Sequence, residues 1–541
     1  MIIPAQVGAE RTASGRPSPL ATAVWVIAIT VGSAVLFAMY FLPTVLHDAS
    51  HYAVSGVSLV RDGANLTHPY VSRSPIGPAY ANFQNGTIVF GADLINYPAK
   101  LYSLLFGLIS AATGTMRLAY LQGLTLAFLI SGNILLYLIG RHYLRGAELA
   151  LFLLVVNLLP VMELRLTAGT NGVGYTAALL LFWLVLVRRA TPLIVGLAGG
   201  ILAHTRSQLA ACLAVLPFLY RGIDGRTRWR GTFLPMAGGF ALAYFALGAL
   251  FNAWSGTAAE VSPFSFYTDH FSKSHLGAQE LLIVAQKFVR GVAMLFAPSQ
   301  LFLLAPVLIL CLLRRNDRMI RGLGVAAFIW VALPVVLYSF DRFADPQPRY
   351  FMVAVPLIAL GGILMLRAAV ASVRLRQAIL GATSLVMAIA YVSAWGLPLA
   401  ALHPQTVLAR LTYLDFPGVE AALRDNFADD DIVMVNHALP TGLSRLRRVV
   451  YRPAFDAFRK GDNRQIQGIV FVYGDTLYDQ FFEPRDWLQE GRPPEAFTDM
   501  AGLTFRRTYQ RTTPYFDIGG QRLGDAFFVI YKKDAPESVP R

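Results

Sequence analysis

The chain has 541 residues, 55% of them hydrophobic and only 14% charged, with a net charge of +14 and a mean hydropathy of +0.51. A soluble globular protein carries about a quarter charged residues, so this composition excludes one and predicts an integral membrane protein. The basic excess sits mostly in short loops between apolar runs, which fits membrane topology and anionic headgroups and argues against nucleic acid as a partner.

Residues 1–19 read as a cytoplasmic tail, because Arg11 and Arg16 precede the first apolar run and basic residues mark the cytoplasmic side. That run, Leu20 to Leu42, is long enough to cross the hydrocarbon core and no A-x-A-like cleavage site closes it, so a retained helix is expected. The chain then emerges on the outer side with His47-Asp48-Ala49-Ser50-His51-Tyr52, which sets a carboxylate at the bilayer edge, a place where ionisable groups are commonly functional.

Further apolar segments fall near 117–140, 147–164, 172–187, 193–203, 207–220, 232–252, 285–313, 320–339, 350–366 and 377–398, giving about eleven spans with the first. Arg141 and Arg145, Arg188 and Arg189, Arg221 to Arg230, Arg314 to Arg321 and Arg367 to Arg376 all fall on the side shared with Arg11. The two halves around His204-Thr205-Arg206 are each too short for a core of ~30 Å, which predicts a re-entrant or thin hairpin with Arg206 toward the outside. Cys212 and Cys311 lie within apolar runs, so neither a disulfide framework nor a thiolate metal site is expected. Residues 20–400 thus read as the transmembrane domain, with an outer loop over 43–116.

From about Leu402 the composition turns soluble. Period-two apolar stretches at 432–435, 449–451, 468–473 and 526–531 alternate with helical patterns at 419–427 and 478–488, so residues 401–541 are expected to form a small α/β domain outside the membrane. The run Asp429-Asp430-Asp431 reads as a solvated turn before a strand, with metal binding as the lesser reading. Asn65-Leu66-Thr67 and Asn85-Gly86-Thr87 fit the glycosylation sequon on the same outer side.

The layout resembles the GT-C glycosyltransferases, polytopic enzymes that take sugar from a polyprenyl-phosphate carrier, among them the protein mannosyltransferases that use dolichyl-phosphate mannose and the aminoarabinose transferases. The resemblance rests on Asp48 soon after the first span, Tyr52, the small-residue stretch VSGVSLVRDG ending at Gly63, and YPAKLYSLLFGL from Tyr97. It continues in GLAGGILAHTRSQLAACLAVLPFL from Gly196, with Arg206 where the family carries Lys or Arg, and in PRYFMVAVPLIALGGI from Pro348. Many bacterial members have Asp-Glu where this chain has Asp48-Ala49, and Lys-Pro-Pro where it has Tyr97-Pro98-Ala99-Lys100, so the resemblance does not name the sugar.

The resemblance implies an α-helical membrane enzyme moving a sugar from a polyprenyl-phosphate carrier to a glycan, lipid or protein acceptor at the outer face of the inner membrane. Asp48 is the implied general base, the role a carboxylate within reach of an acceptor hydroxyl performs; its structural alternative is the N-cap of the following helix. Lys100, Arg206 and Arg349 are the implied ligands of the departing phosphate, each with snorkelling to the headgroups as its alternative. For Arg349, a loop salt bridge with Asp341 or Asp345 also competes. His51, Tyr52, Asp93, Tyr102 and Tyr350 complete the expected substrate contacts. The outer segment with Asp269, His270, Lys273 and His275 is expected to cover the donor or bind the acceptor, its aromatics fitting an interfacial belt equally well. No cofactor is implied, and a divalent metal is left open.

Two other readings compete. A multi-span transporter or flippase of lipid-linked saccharides would predict paired discontinuous helices in two related halves, whereas the sequence has one Gly-rich broken hairpin and no counterpart. His47-Asp48-Ala49-Ser50-His51 also imitates the H-E-x-x-H zinc motif with Asp for Glu, but no third ligand is evident.

Overall fold

The computed structural model describes residues 18–41, 53, 56, 59, 60, 100–114, 117–166, 169–224, 229–255, 278–295, 304–314, 316–340, 347–412, 418–428, 431–435, 448–451, 464–473, 493–499, 501–516 and 522–534. The helical part contains α1 (Pro19–Tyr40), α2 (Lys100–Thr113), α3 (Leu118–Tyr143), α4 (Gly146–Asn157), α5 (Thr170–Leu186), α6 (Pro192–Ala203) and α7 (Cys212–Asp224). It continues with α8 (Trp229–Ser255), α9 (Ala278–Leu295), α10 (Ala305–Leu313), α11 (Arg318–Phe340), α12 (Val355–Ala369) and α13 (Val373–Trp395).

Among the described residues, six helices are long and apolar enough to cross a membrane, or seven if α4 and the 3-10 turn Pro160–Leu166, bent by 74°, count as one span. The helices α2, α5 and α6 are apolar too, but fall below that length. The twelve residues of α6 rise about 18 Å at 1.5 Å per residue, well under a ~30 Å core. Of the segment 285–313, expected as one span, the described residues belong to α9 and α10, and Pro306 occupies the first turn of α10, where its missing N–H costs nothing. Apolar side chains such as Leu20, Val24, Ile27 and Val31 stand exposed along α1, the pattern of a helix at the rim, whereas α12 is buried at the centre.

Glycine sets the tightest contacts. A Cβ at Gly196 would lie 2.1 Å from the Met236 carbonyl oxygen, and one at Gly200 would lie 2.4 Å from that of Phe240, so α6 and α8 touch backbone to backbone through a G-x-x-x-G face. Outside the bundle proper, Ala53, Gly56 and Leu59 are helical and buried, three residues apart on one face. Gly56 meets α2 in the same manner, its Cβ position falling 1.9 Å from the Ser103 oxygen, and a Cβ at Gly107 would fall 2.1 Å from the Gly56 oxygen. Only glycine permits either approach.

Among the described residues, buried charges tie helix ends together. Glu148, at the start of α4, binds Arg367 at the end of α12 and Arg376 of α13, the latter at 3.3 Å. Arg410, buried on α14 (Pro404–Leu411), donates to the carbonyls of Ala38 at 2.7 Å and Phe41 at 2.5 Å, with its guanidinium 4.2 Å from the Phe41 ring centre. These carbonyls belong to the end of α1, where no intrahelical donor remains.

Beyond α15 (Val419–Asn426) lies a six-stranded mixed sheet: β1 (Ile432–Val435), β2 (Arg448–Tyr451), β3 (Gly468–Tyr473), β4 (Ala496–Thr498), β5 (Thr504–Phe516) and β6 (Arg522–Lys533), in the order β2-β1-β3-β6-β5-β4. The first three are parallel and the last three antiparallel to their neighbours, with Met434, Ile469, Phe505, Val529 and Tyr531 in a shared core. Strands β1, β2, β3 and β6 fall on the four expected apolar stretches, while β4 and β5 were not anticipated. The helical pattern at 478–488 lies outside the described residues.

Candidate functional site

The hairpin α6–α7 turns at His204-Thr205, and Arg206 follows in extended backbone before a short 3-10 turn, Ser207–Ala211. Pro192 starts α6 and fixes φ in its first turn, while the glycine face against α8 holds the helix in place. The guanidinium of Arg206 is therefore delivered to the end of the hairpin, where Nη1 donates to Asn171 Oδ1 at 2.8 Å and to the Thr170 carbonyl at 3.2 Å, and Nε donates to Gln208 Oε1. Its stem lies against Gly174, where a Cβ would stand 2.4 Å from Arg206 Cδ.

A second arginine reaches the same place from a distant segment. The turn Pro348–Tyr350 opens the span that continues as α12, and Trp330 of α11 holds it by donating Nε1–H to the Tyr350 carbonyl at 2.9 Å. The Tyr350 ring stacks on Tyr338 with centroids 4.5 Å apart, and Gln208 donates to the Tyr338 hydroxyl at 3.0 Å. Over the Tyr350 ring lie both guanidinium groups, Arg206 at 5.9 Å and Arg349 at 5.2 Å. Arg349 also donates to the Tyr350 hydroxyl at 3.2 Å.

These groups line one end of a cavity of about 740 Å³ whose remaining walls are almost wholly apolar, including Leu213, Phe218, Phe233, Ile329, Leu333 and Met352. Prolines at 217, 235 and 334 lie within α7, α8 and α11, the helices that supply most of those walls. The arrangement is chemically polarised, with paired cations at one end and a hydrocarbon-like interior at the other.

Lys100 stands on the other flank of the hairpin tip. Its amine lies 5.8 Å from the Phe251 ring, and the backbone N–H of its neighbour Leu101 donates to the His204 carbonyl at 3.0 Å. His204 stacks on Tyr244 at 4.5 Å and shares a 3.0 Å hydrogen bond with the Tyr244 carbonyl. Burial among these rings draws the Lys100 ammonium below its ordinary pKa. The tip thus carries Lys100 and His204 on one side and Arg206 and Arg349 on the other.

Of the sequence-derived candidates, Arg206, Arg349 and Tyr350 come together, and Lys100 lies beside the same turn. Tyr102 is fully buried, its ring tilted 6.5 Å from Phe128 in the α2–α3 contact, and it does not line the cavity. Asp48, His51, Tyr52 and Asp93 lie outside the described residues, as do His47, the 269–275 segment and both sequons. Asp431 accepts a 2.9 Å hydrogen bond from the Ala428 N–H within its turn.

Three residues that sequence reasoning passed over complete the cleft: Asn171, Gln208 and Tyr338. A fourth group lies behind it, where Glu163 and Arg165 are buried in the 3-10 turn Pro160–Leu166, packed against Pro348–Tyr350. The Tyr391 hydroxyl donates to Glu163 Oε2, and Arg165 donates to the Met162 carbonyl at 2.8 Å and to Asn157 Oδ1 at 3.0 Å. Two opposite charges inside an apolar run were the available signal.

No family model matches the sequence, and no curated protein matches it. Among solved structures, the chain is similar to ArnT from Cupriavidus metallidurans bound to undecaprenyl phosphate, with a TM-score of 0.48 and 14% identity over 96% of this chain and 99% of that one. The apo state of the same protein gives a TM-score of 0.45 at 13% identity, covering 94% and 98% of the two chains. The oligosaccharyltransferase of Archaeoglobus fulgidus in its apo form gives 0.41 at 10% identity over 82% of this chain and 69% of that one.

Proposed function

We propose that the protein is a membrane glycosyltransferase of the GT-C type, using a polyprenyl-phosphate-linked sugar and acting at the outer face of the inner membrane. The observation that carries this reading is the polarised cavity: Arg206 and Arg349 flank Tyr350 at one end, and apolar side chains line the rest. A polyprenyl chain suits the apolar walls, and its phosphate suits guanidinium groups, whose planar donors match phosphate oxygens. No neutral lipid or free sugar nucleotide asks for both features at once.

In the proposed reaction the acceptor hydroxyl attacks the anomeric carbon, and the bond from that carbon to the phosphate oxygen breaks. The hydroxyl proton passes to Asp48, and the electron pair of the broken bond stays on the polyprenyl phosphate, where Arg206, Arg349 and Lys100 stabilise it. The residues beside Asp48, His51 and Tyr52, together with Asp93 and Tyr350, orient the sugar and acceptor. The N-terminus then lies in the cytoplasm, and the 401–541 domain shares the outer side with the cleft.

The test is transfer by purified protein in proteoliposomes given polyprenyl-phosphate sugars. Arg206→Ala and Asp48→Asn are each expected to reduce kcat/KM by about 10²-fold or more while the protein stays folded. Full activity of folded Asp48→Asn removes Asp48 from proton transfer. Transbilayer movement of the lipid-linked sugar without any discharge would replace this reading with the transporter one.

A further inference from the structure

We infer that Arg165 is a positioning residue for Arg206, acting through the first turn of α5; this rests on the donor-phosphate reading of the cleft. Arg165 is 2% exposed, and it is far from any position where a charge serves solubility. A buried arginine is expensive unless its donors are used, so its placement needs an explanation beyond packing.

The contacts supply one. Nε and Nη2 of Arg165 are fixed by the Met162 carbonyl and by Asn157 at the end of α4, which locks the guanidinium plane. That plane lies 5.3 Å from the ring centre of Tyr175, itself 2% exposed and part of the cavity wall. The Arg165 backbone presses on the same helix, since a Cβ on Gly172 would stand 3.0 Å from the Arg165 carbonyl oxygen. Residues 170–175 are thus held on one side by Arg165, and on the other side the same turn presents the Thr170 carbonyl and Asn171 Oδ1 to Arg206 Nη1.

Glu163 completes the brace. It stands two residues from Arg165 and is tied to α13 by Tyr391, whose ring meets Tyr40 of α1 edge-on at 5.1 Å. Asn171 is therefore fixed in space by a buried polar assembly that does not touch the cavity except through Tyr175. A lysine at 165 keeps the positive charge, but a single ammonium cannot hold both Met162 and Asn157 while staying beside Tyr175.

The experiment compares binding of undecaprenyl phosphate and of the uncharged undecaprenol to the full-length protein in detergent. Wild type is expected to prefer the phosphate, and Asn171→Ala and Arg165→Lys are each expected to weaken phosphate binding about tenfold while leaving undecaprenol binding unchanged. The double variant is expected to lose no more than the worse single one, because both act through one contact. If Arg165→Lys does not fold, Gly172→Ala replaces it, shifting the same turn by a few tenths of an ångström and weakening phosphate binding several-fold. Failure of wild type to prefer phosphate overturns the donor reading, and this inference with it. A wild-type preference that survives intact in folded Arg165→Lys or in Gly172→Ala, or losses that add in the double variant, overturns the positioning role alone.

Discussion

Replacing Gly196 by alanine tests whether the α6–α8 contact sets the position of the hairpin tip. The new methyl carbon would lie 2.1 Å from the Met236 carbonyl oxygen, where ordinary contact begins at 3.4 Å, so the helices must part by about 1.3 Å at that point. The obstacle is backbone, which cannot rotate aside as a side chain does. Overpacking of this kind costs about 1–3 kcal/mol, and a shift of about 1 Å in a positioned group can lower turnover about 10²-fold. Arg206 lies three residues beyond the end of α6, so it inherits much of the displacement. Gly238→Ala is the control, because a Cβ there meets nothing within 4 Å and alanine is the better helix former. The assay is thermal unfolding in detergent together with sugar transfer in proteoliposomes. A Gly196→Ala protein with wild-type melting and wild-type transfer, or a Gly238→Ala protein damaged equally, refutes the reasoning.

Gly107→Ala is expected to lose about 1–3 kcal/mol by the same mechanism, because its methyl group would press on the Gly56 carbonyl; the check is denaturant unfolding in mixed micelles. Tyr391→Phe removes the hydroxyl that donates to buried Glu163 and is expected to cost about 1–3 kcal/mol, seen as a lowered melting temperature that Tyr391→Trp does not restore. Glu148→Gln leaves Arg367 and Arg376 without their counter-charge where α4, α12 and α13 meet, and unfolding is expected to become easier by about 1–3 kcal/mol. Arg410→Met keeps the apolar stem but loses both bonds to the end of α1; amide hydrogen exchange in the last turn of α1 is expected to accelerate while exchange in the other helices stays the same.

Sequence patterning made the helical architecture and the hairpin legible for a simple reason: hydrocarbon demands long apolar runs, and a Gly-rich pair too short to cross stands out against them. Arg206 was visible because a charge inside a Gly-rich apolar hairpin is rare, and Arg349 because the family resemblance marks the Arg-Tyr that opens a late apolar run. Their convergence on Tyr350 needed the fold, since the two lie far apart in the chain. Asn171 and Gln208 carry no such signal, being uncharged residues among helix formers, and only the geometry of Arg206 reveals them. The 285–313 run read as one span because apolar residues dominate it, and its described parts belong to the end of α9 and to α10. Strand β5 escaped because TFRRTYQRTTPYF interleaves Arg, Thr and Gln with its aromatics, so no clean alternation shows. Glu163 sat inside an apolar segment counted as a span, and its charge was the clue that length and mean hydropathy averaged away.

The hold of Arg410 on Ala38 and Phe41 joins residues 372 and 369 positions apart. Domains synthesised on the ribosome mature from the N-terminus onward, so the first helix enters the bilayer long before the residue that closes its end exists. Until that residue is made, the carbonyls at the end of α1 lack this anchor. The end of α1 therefore gains this closure late, and a message truncated before codon 410 would give a nascent bundle with every helix through α13 encoded and the carbonyls of Ala38 and Phe41 without Arg410.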